Sequence, residues 1–138
     1  MNEHSYVRSI HRHLPDDVFV WKICDKFAGG VPDAWYHGPD GKIIFVEYKY
    51  VATFPSRAST RIKPKLSSLQ INWLTQRQAA GINVALVIGS TYGGLLIEDD
   101  FETVPEKGLP RSAFLDHGLA PKEIANAISQ KLNVNYQE

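Results

Sequence analysis

The sequence predicts one α/β domain, a mixed central β-sheet flanked by helices. Three observations carry that expectation. Apolar residues recur at helical spacing near both ends of the chain and over residues 66–80, with strand-like stretches between them. The turn signal Gly38-Pro39-Asp40-Gly41 joins two of those stretches as a hairpin. The continuous apolar run Val84–Ile88, just after a helical segment, suits a buried central strand. Helices interleaved with hairpin and crossover strands imply a mixed sheet. A chain of 138 residues with no internal repeat is expected to be a single domain, 1–138.

Each element has its own signal. Residues 2–13 are expected to be a helix, because Tyr6, Val7, Ile10 and Leu14 share a face and Pro15 closes it. Val18–Cys24 is rich in β-branched and aromatic residues and reads as a strand, followed by the break Gly29-Gly30. Asp33–Tyr36 and Ile43–Tyr50 form the hairpin arms. Pro55 and Pro64 bracket an aperiodic basic piece, Arg57-Ala-Ser-Thr-Arg61-Ile-Lys63-Pro-Lys65, expected to be a loop and, if functional, a mobile basic arm. Leu66, Leu69, Trp73 and Leu74 mark a helix to about Ala80, with Gly81 as its C-terminal cap. Leu95–Ile97 is a short last strand, and residues 99–118 read as irregular. Ala120-Pro121 opens a final helix with Ile124, Ala127, Ile128 and Leu132 on its inner face.

Composition narrows the function classes. An apolar content of 43% with 11% aromatic residues excludes disorder. A single cysteine, Cys24, excludes a disulfide framework or a Cys-rich zinc site, and is expected to be a core thiol. Met1–Arg12 lacks an apolar signal core, and no apolar run is long enough to cross a bilayer. A cytoplasmic protein with no membrane partner is expected. The formal net charge of zero argues against bulk-charge binding to nucleic acid, but the charge is segregated. Tyr48–Ile97 holds six basic residues and no acid, and the remainder holds nine basic and 15 acidic residues, so the two parts carry +6 and −6. Arg57, Arg61, Lys63 and Lys65 make up most of the basic part. They suit a sequence-independent grip on phosphates, although a solvated charged loop would look the same.

The chemistry concentrates in Ile43–Tyr50. Alternation puts Ile43, Phe45, Glu47 and Lys49 on one face, so Glu47 and Lys49 lie side by side, about 6.5–7 Å apart along the strand. A charged pair after three apolar residues in an interior strand is costly unless paired, hydrogen-bonded or bound to a metal. The hairpin partner supplies Asp33. A connection of three or five residues would place Asp33 opposite Glu47, and an even one would put it out of phase. Two carboxylates and an ammonium converging there would suit Mg²⁺ or Mn²⁺, with Lys49 orienting a water. Two further polar residues share otherwise apolar helix faces. Glu3 sits with Tyr6, Val7, Ile10 and Leu14, and Gln70 with Leu66, Trp73 and Leu74.

Four stretches together, Gly30-Val31-Pro32-Asp33, Phe45-Val46-Glu47-Tyr48-Lys49, Leu69-Gln70-Ile71-Asn72-Trp73-Leu74 and Ala80-Gly81-Ile82-Asn83-Val84, resemble the PD-(D/E)XK nuclease superfamily. Within it the chain looks most like the stand-alone, phage-type VRR-NUC domains, over about residues 29–90. The resemblance implies a restriction-endonuclease-like sheet and a Mg²⁺- or Mn²⁺-dependent endodeoxyribonuclease. It implies that Asp33, Glu47 and the Tyr48 main-chain carbonyl hold the metal, that Lys49 positions the water, and that Gln70 and Glu3 assist. It further implies action on branched or junction DNA as a homodimer, in the cytoplasm of a bacterial or phage-infected cell. Residue 48 is bulkier here than is usual in the family, and the insertion 51–65 is longer than in compact relatives. Pro39-Asp40 falls at the hairpin tip, away from Glu47.

Other features carry less. His4, His11, His13 and His37 have no paired metal-ligand spacing and read as surface histidines; Trp21, Trp35 and Trp73 read as core. Gly93-Gly94 lacks the Lys-Ser/Thr of a nucleotide loop. Two competing functions remain at this point, a DNA-binding module that keeps the fold without turnover, and a small-molecule phosphoesterase.

Overall fold

The structure is a computed structural model that describes residues 1–24 and 29–134. Its elements are α1 (Glu3–His11), β1 (Phe19–Lys22), β2 (Ala34–His37), β3 (Ile43–Val51), α2 (Ser68–Ala79), β4 (Asn83–Ser90), β5 (Leu95–Ile97), α3 (Thr103–Lys107), α4 (Arg111–His117) and α5 (Pro121–Lys131). The strands form one sheet in the order β1-β2-β3-β4-β5. β3 and β4 pair in parallel through the α2 crossover, and every other pair is antiparallel. This is the expected mixed α/β sheet with helices on both faces. Among the described residues, no helix is long and apolar enough to cross a membrane.

The alternation along β3 sorts the molecule into two layers. Ile44, Val46 and Tyr48 face α1 and α5 and pack with Tyr6, Ile10, Ile124 and Ile128. Phe45 and Val51 share the opposite layer with Leu74 of α2 and with Phe101, Val104 and Phe114. β4 lies between the layers and is buried from Val84 to Ser90, which is why its sequence runs apolar without alternation.

Residues 99–118 are not irregular. They contain α3 and α4, each under two turns and so too short to show a helical period. The basic segment is also more ordered than expected. Ile62, Pro64 and Leu66 are buried while Arg61, Lys63 and Lys65 are exposed, a strand-like alternation that Pro64 conceals. Ile62 exchanges two backbone hydrogen bonds of 2.8 Å with Leu109. Gly108 lets this strap pass: it has φ +71°, and a Cβ there would stand 2.8 Å from the Ile62 carbonyl.

Of the three tryptophans expected in the core, Trp73 is half-buried and packs against it, Trp35 is half-buried, and Trp21 is exposed. α2, α3 and α4 cover the sheet over β3–β5 and leave the same face of β1 and β2 open. Phe19 is 54% exposed and Trp21 50%. Trp21 stacks on Trp35 at 5.4 Å, Trp35 on Phe45 at 6.1 Å, and Phe45 meets Trp73 edge-on at 4.9 Å. Cys24 is exposed. His11 departs from a surface histidine in the other direction. Its Nε2 bonds the Tyr36 hydroxyl at 2.7 Å, which bonds the Tyr48 hydroxyl at 2.5 Å inside the core. Burial first, then nearby Lys22, pushes the His11 pKa down to about 4.

Candidate active site

The site begins with hairpin register. β2 and β3 are joined by residues 38–42, an odd-length connection, and Ala34 pairs with Val46. One step beyond that last pair, Asp33 faces Glu47. Its Oδ2 accepts a 3.0 Å hydrogen bond from the Tyr48 backbone N–H. In an extended chain a residue's N–H and C=O lie along the same strand edge, so the Tyr48 carbonyl is on Asp33's side. The Tyr48 ring is buried on the opposite face and does not crowd the carboxylates.

Glu47 is the centre of the cluster and is only 3% exposed. Its Oε2 accepts from Gln70 Nε2 at 3.0 Å and lies 3.4 Å from Lys49 Nζ. Its Oε1 is buried with no hydrogen-bond partner. Burial raises the Glu47 pKa most, and Asp33 raises it further. Lys49 opposes them, Glu3 adds a small rise, and the balance is about 8. A buried acid held this far from its ordinary value, beside a second carboxylate and an ammonium, makes Glu47 the centre of a candidate functional site.

Gln70 is placed by the start of α2. Ser67 is the N-cap: its hydroxyl accepts from the Gln70 N–H at 3.1 Å, while Gln70 Oε1 accepts from the Ser67 N–H at 2.9 Å. One end of the amide is therefore fixed by the helix cap, which aims the other at Glu47. The Ser-x-x-Gln signature of this capping box was visible in the sequence and is the signal for Ser67 as a supporting residue.

Glu3 opens α1 after the Asn2 cap. It is exposed rather than directed into the core, and it shares a cleft of about 310 Å³ with Asp33, Arg8 and Lys22. Desolvation and the Asp33 charge raise its pKa and the Lys49 charge lowers it, so it lies within electrostatic reach of both. No hydrogen bond ties it to Glu47.

The basic residues divide. Arg61 donates from Nε to the Lys107 carbonyl at 2.7 Å and from Nη2 to the Gly108 carbonyl at 3.0 Å, which fastens the strap. Lys63 and Lys65 line a cleft of about 400 Å³ that also reaches Gln70. Arg57 is exposed in the turn it closes with Thr60.

Does the donor set fit a divalent cation? Among the described residues, no group of three His, Cys, Asp or Glu side chains converges closely enough to form a protein-only cage. Mg²⁺ does not need one, since it keeps several waters and binds through one or two carboxylates plus substrate phosphate. The orphaned Oε1 of Glu47, with Asp33 opposite, offers hard oxygen donors, two carboxylates for which Lys49 supplies one positive charge. The residues fit.

No protein-family model matches the chain, and no curated protein matches it. Among solved structures, it is similar to Hjc of Archaeoglobus fulgidus, described as a Holliday junction resolvase from an archaeal hyperthermophile. The identity is 13% and the TM-score 0.47, over 89% of this chain and 99% of that one.

Proposed function

We propose that the chain is a Mg²⁺- or Mn²⁺-dependent DNA endonuclease of the PD-(D/E)XK type, with branched DNA as its substrate. The observation that carries this reading is Glu47, a buried carboxylate with one oxygen unpartnered, held by Gln70 and flanked by Asp33 and Lys49. The motif resemblance to VRR-NUC domains supports it.

When bound, the divalent ion would polarise a phosphoryl oxygen and acidify a coordinated water. Glu47, Asp33 and the Tyr48 carbonyl would hold it. Gln70 fixes the rotamer of Glu47, so the free oxygen is presented in one direction. The Lys49 ammonium, on the same strand face, orients the attacking water and offsets charge as the P–O(leaving) bond breaks. Glu3, at the cleft mouth, steers a solvent water toward Asp33. Lys63 and Lys65 extend a positive path outward from Gln70, and Arg57 and Arg61 flank it. Such a path holds phosphates without reading bases, which suits recognition by shape. Two copies, paired through the open aromatic face, would present two sites to a two-fold symmetric junction in the cytoplasm.

Cleavage of a synthetic four-way junction and of its linear arms tests the reading. Wild type is expected to cut the junction in Mg²⁺ or Mn²⁺ and to stop in EDTA. Asp33→Ala and Lys49→Ala are expected to lose about 10²-fold or more in rate. Unchanged cutting in either variant rejects the assignment, and junction binding with no cutting by wild type indicates a binding module.

A further inference from the structure

Arg111 begins α4 and is half-buried without a carboxylate partner. Among the described residues, neither ion pair includes it. Its Nη2 donates to the Pro55 carbonyl and its guanidinium lies 5.5 Å from the centre of the Phe54 ring. Its Nε is buried with no acceptor. A half-buried cation with unused donors is costly until an anion joins it, and the planar fork of Arg matches phosphate oxygens.

The surroundings suit that anion. Arg111 lines a cavity of about 400 Å³ with Thr53, Ser56, Thr91 and Tyr92, four side chains that carry hydroxyls. None of the residues lining it is acidic. Residues 52–56 directly follow β3, and residues 91–92 directly follow β4. The cavity therefore lies just outside the carboxyl ends of the one parallel strand pair, where open α/β sheets place ligands. Thr53 is four residues past Lys49, on the order of 13 Å along an extended chain.

We infer that the Arg111 cavity is an oxyanion site that grips a backbone phosphodiester of the bound nucleic acid, away from the scissile bond. The anion chemistry stands on the cavity, and its assignment to nucleic acid rests on the nuclease reading. The test is junction binding by the full chain without divalent metal, across a salt series, for wild type, Arg111→Gln and Ser56→Asp. Ser56→Asp places a negative charge in the cavity and leaves the Arg111 contacts to Pro55 and Phe54 alone. Loss of one phosphate contact reduces the slope of log K against log salt by about 1. That reduction in Arg111→Gln at an unchanged melting temperature, or in both variants, supports the site. Wild-type slopes in both overturn it, as does a wild type that does not bind the junction. A reduction confined to Arg111→Gln with a lowered melting temperature also overturns it, assigning Arg111 to loop support. Cutting by wild type with unchanged slopes leaves the nuclease reading standing. Reduced slopes with no cutting leave the anion site standing and remove the nuclease.

Discussion

Glu47 shows how far one residue departs from the rule that charges stay at the surface. Its ordinary pKa is 4.5 and its folded value about 8, so between these values the folded state binds more protons than the unfolded chain. Metal-free stability is therefore greatest below about pH 4.5 for this group and falls as pH rises toward 8. Replacing Glu47 by Gln removes the penalty. Thermal melts in EDTA are expected to place Glu47→Gln on the order of 5 °C above wild type at pH 8 and level with it near pH 5. Equal melting temperatures at pH 8 would show that Glu47 is not held in an unfavourable charged state. His11 works the other way. Its depressed pKa means that the unfolded chain binds the extra proton, so its contribution is lost as pH falls from 6.5 to about 4.

At the scale of elements, α2 links stability to the site. The Ser67 hydroxyl caps the helix and the Ser67 backbone N–H holds the Gln70 amide that reaches Glu47, so fraying of this one cap would loosen both. Ser67→Ala is expected to cost about 1 kcal/mol in urea unfolding, the usual worth of an N-cap. Junction cleavage should fall about tenfold with it, a shift of about 1.4 kcal/mol in barrier. Ser67→Thr should restore both. Full activity in Ser67→Ala would mean that Gln70 does not need its cap to reach Glu47. The 61–66 strap makes a related point. Buried Ile62 and its pairing to Leu109 carry Lys63 and Lys65 to the side of the cleft that reaches Gln70, so the basic residues stand on a fixed track rather than on a mobile arm.

For the whole molecule, the sheet is covered on one face and half-covered on the other. The open half displays Phe19, Trp21 and Trp35 in line with Phe45, and Phe45 precedes Glu47 on the same face of β3. The ring faces already stack on one another, so this surface suits protein better than nucleic acid. Sedimentation is expected to give twice the 15.5 kDa chain mass for wild type and the single mass for Trp21→Asp. A wild type that sediments as a monomer at micromolar concentration would reject pairing through this face.

The sequence by itself determined the order of the main elements, the hairpin, the buried β4 and the shared face of Glu47 and Lys49. Each of these follows from local periodicity, which neighbouring residues carry between them. It left Asp33 conditional, because facing Glu47 depends on whether the connection has odd or even length. It missed α3, α4 and the strap, whose patterns span too few residues to show a period. The exposure of Trp21 and the half-buried place of His11 were decided only by tertiary structure. Residue type says that a ring favours burial, but whether another element arrives to cover it depends on packing between segments far apart in the chain. Arg111 is the clearest case, since its nearest partners, Phe54 and Pro55, lie more than fifty residues earlier.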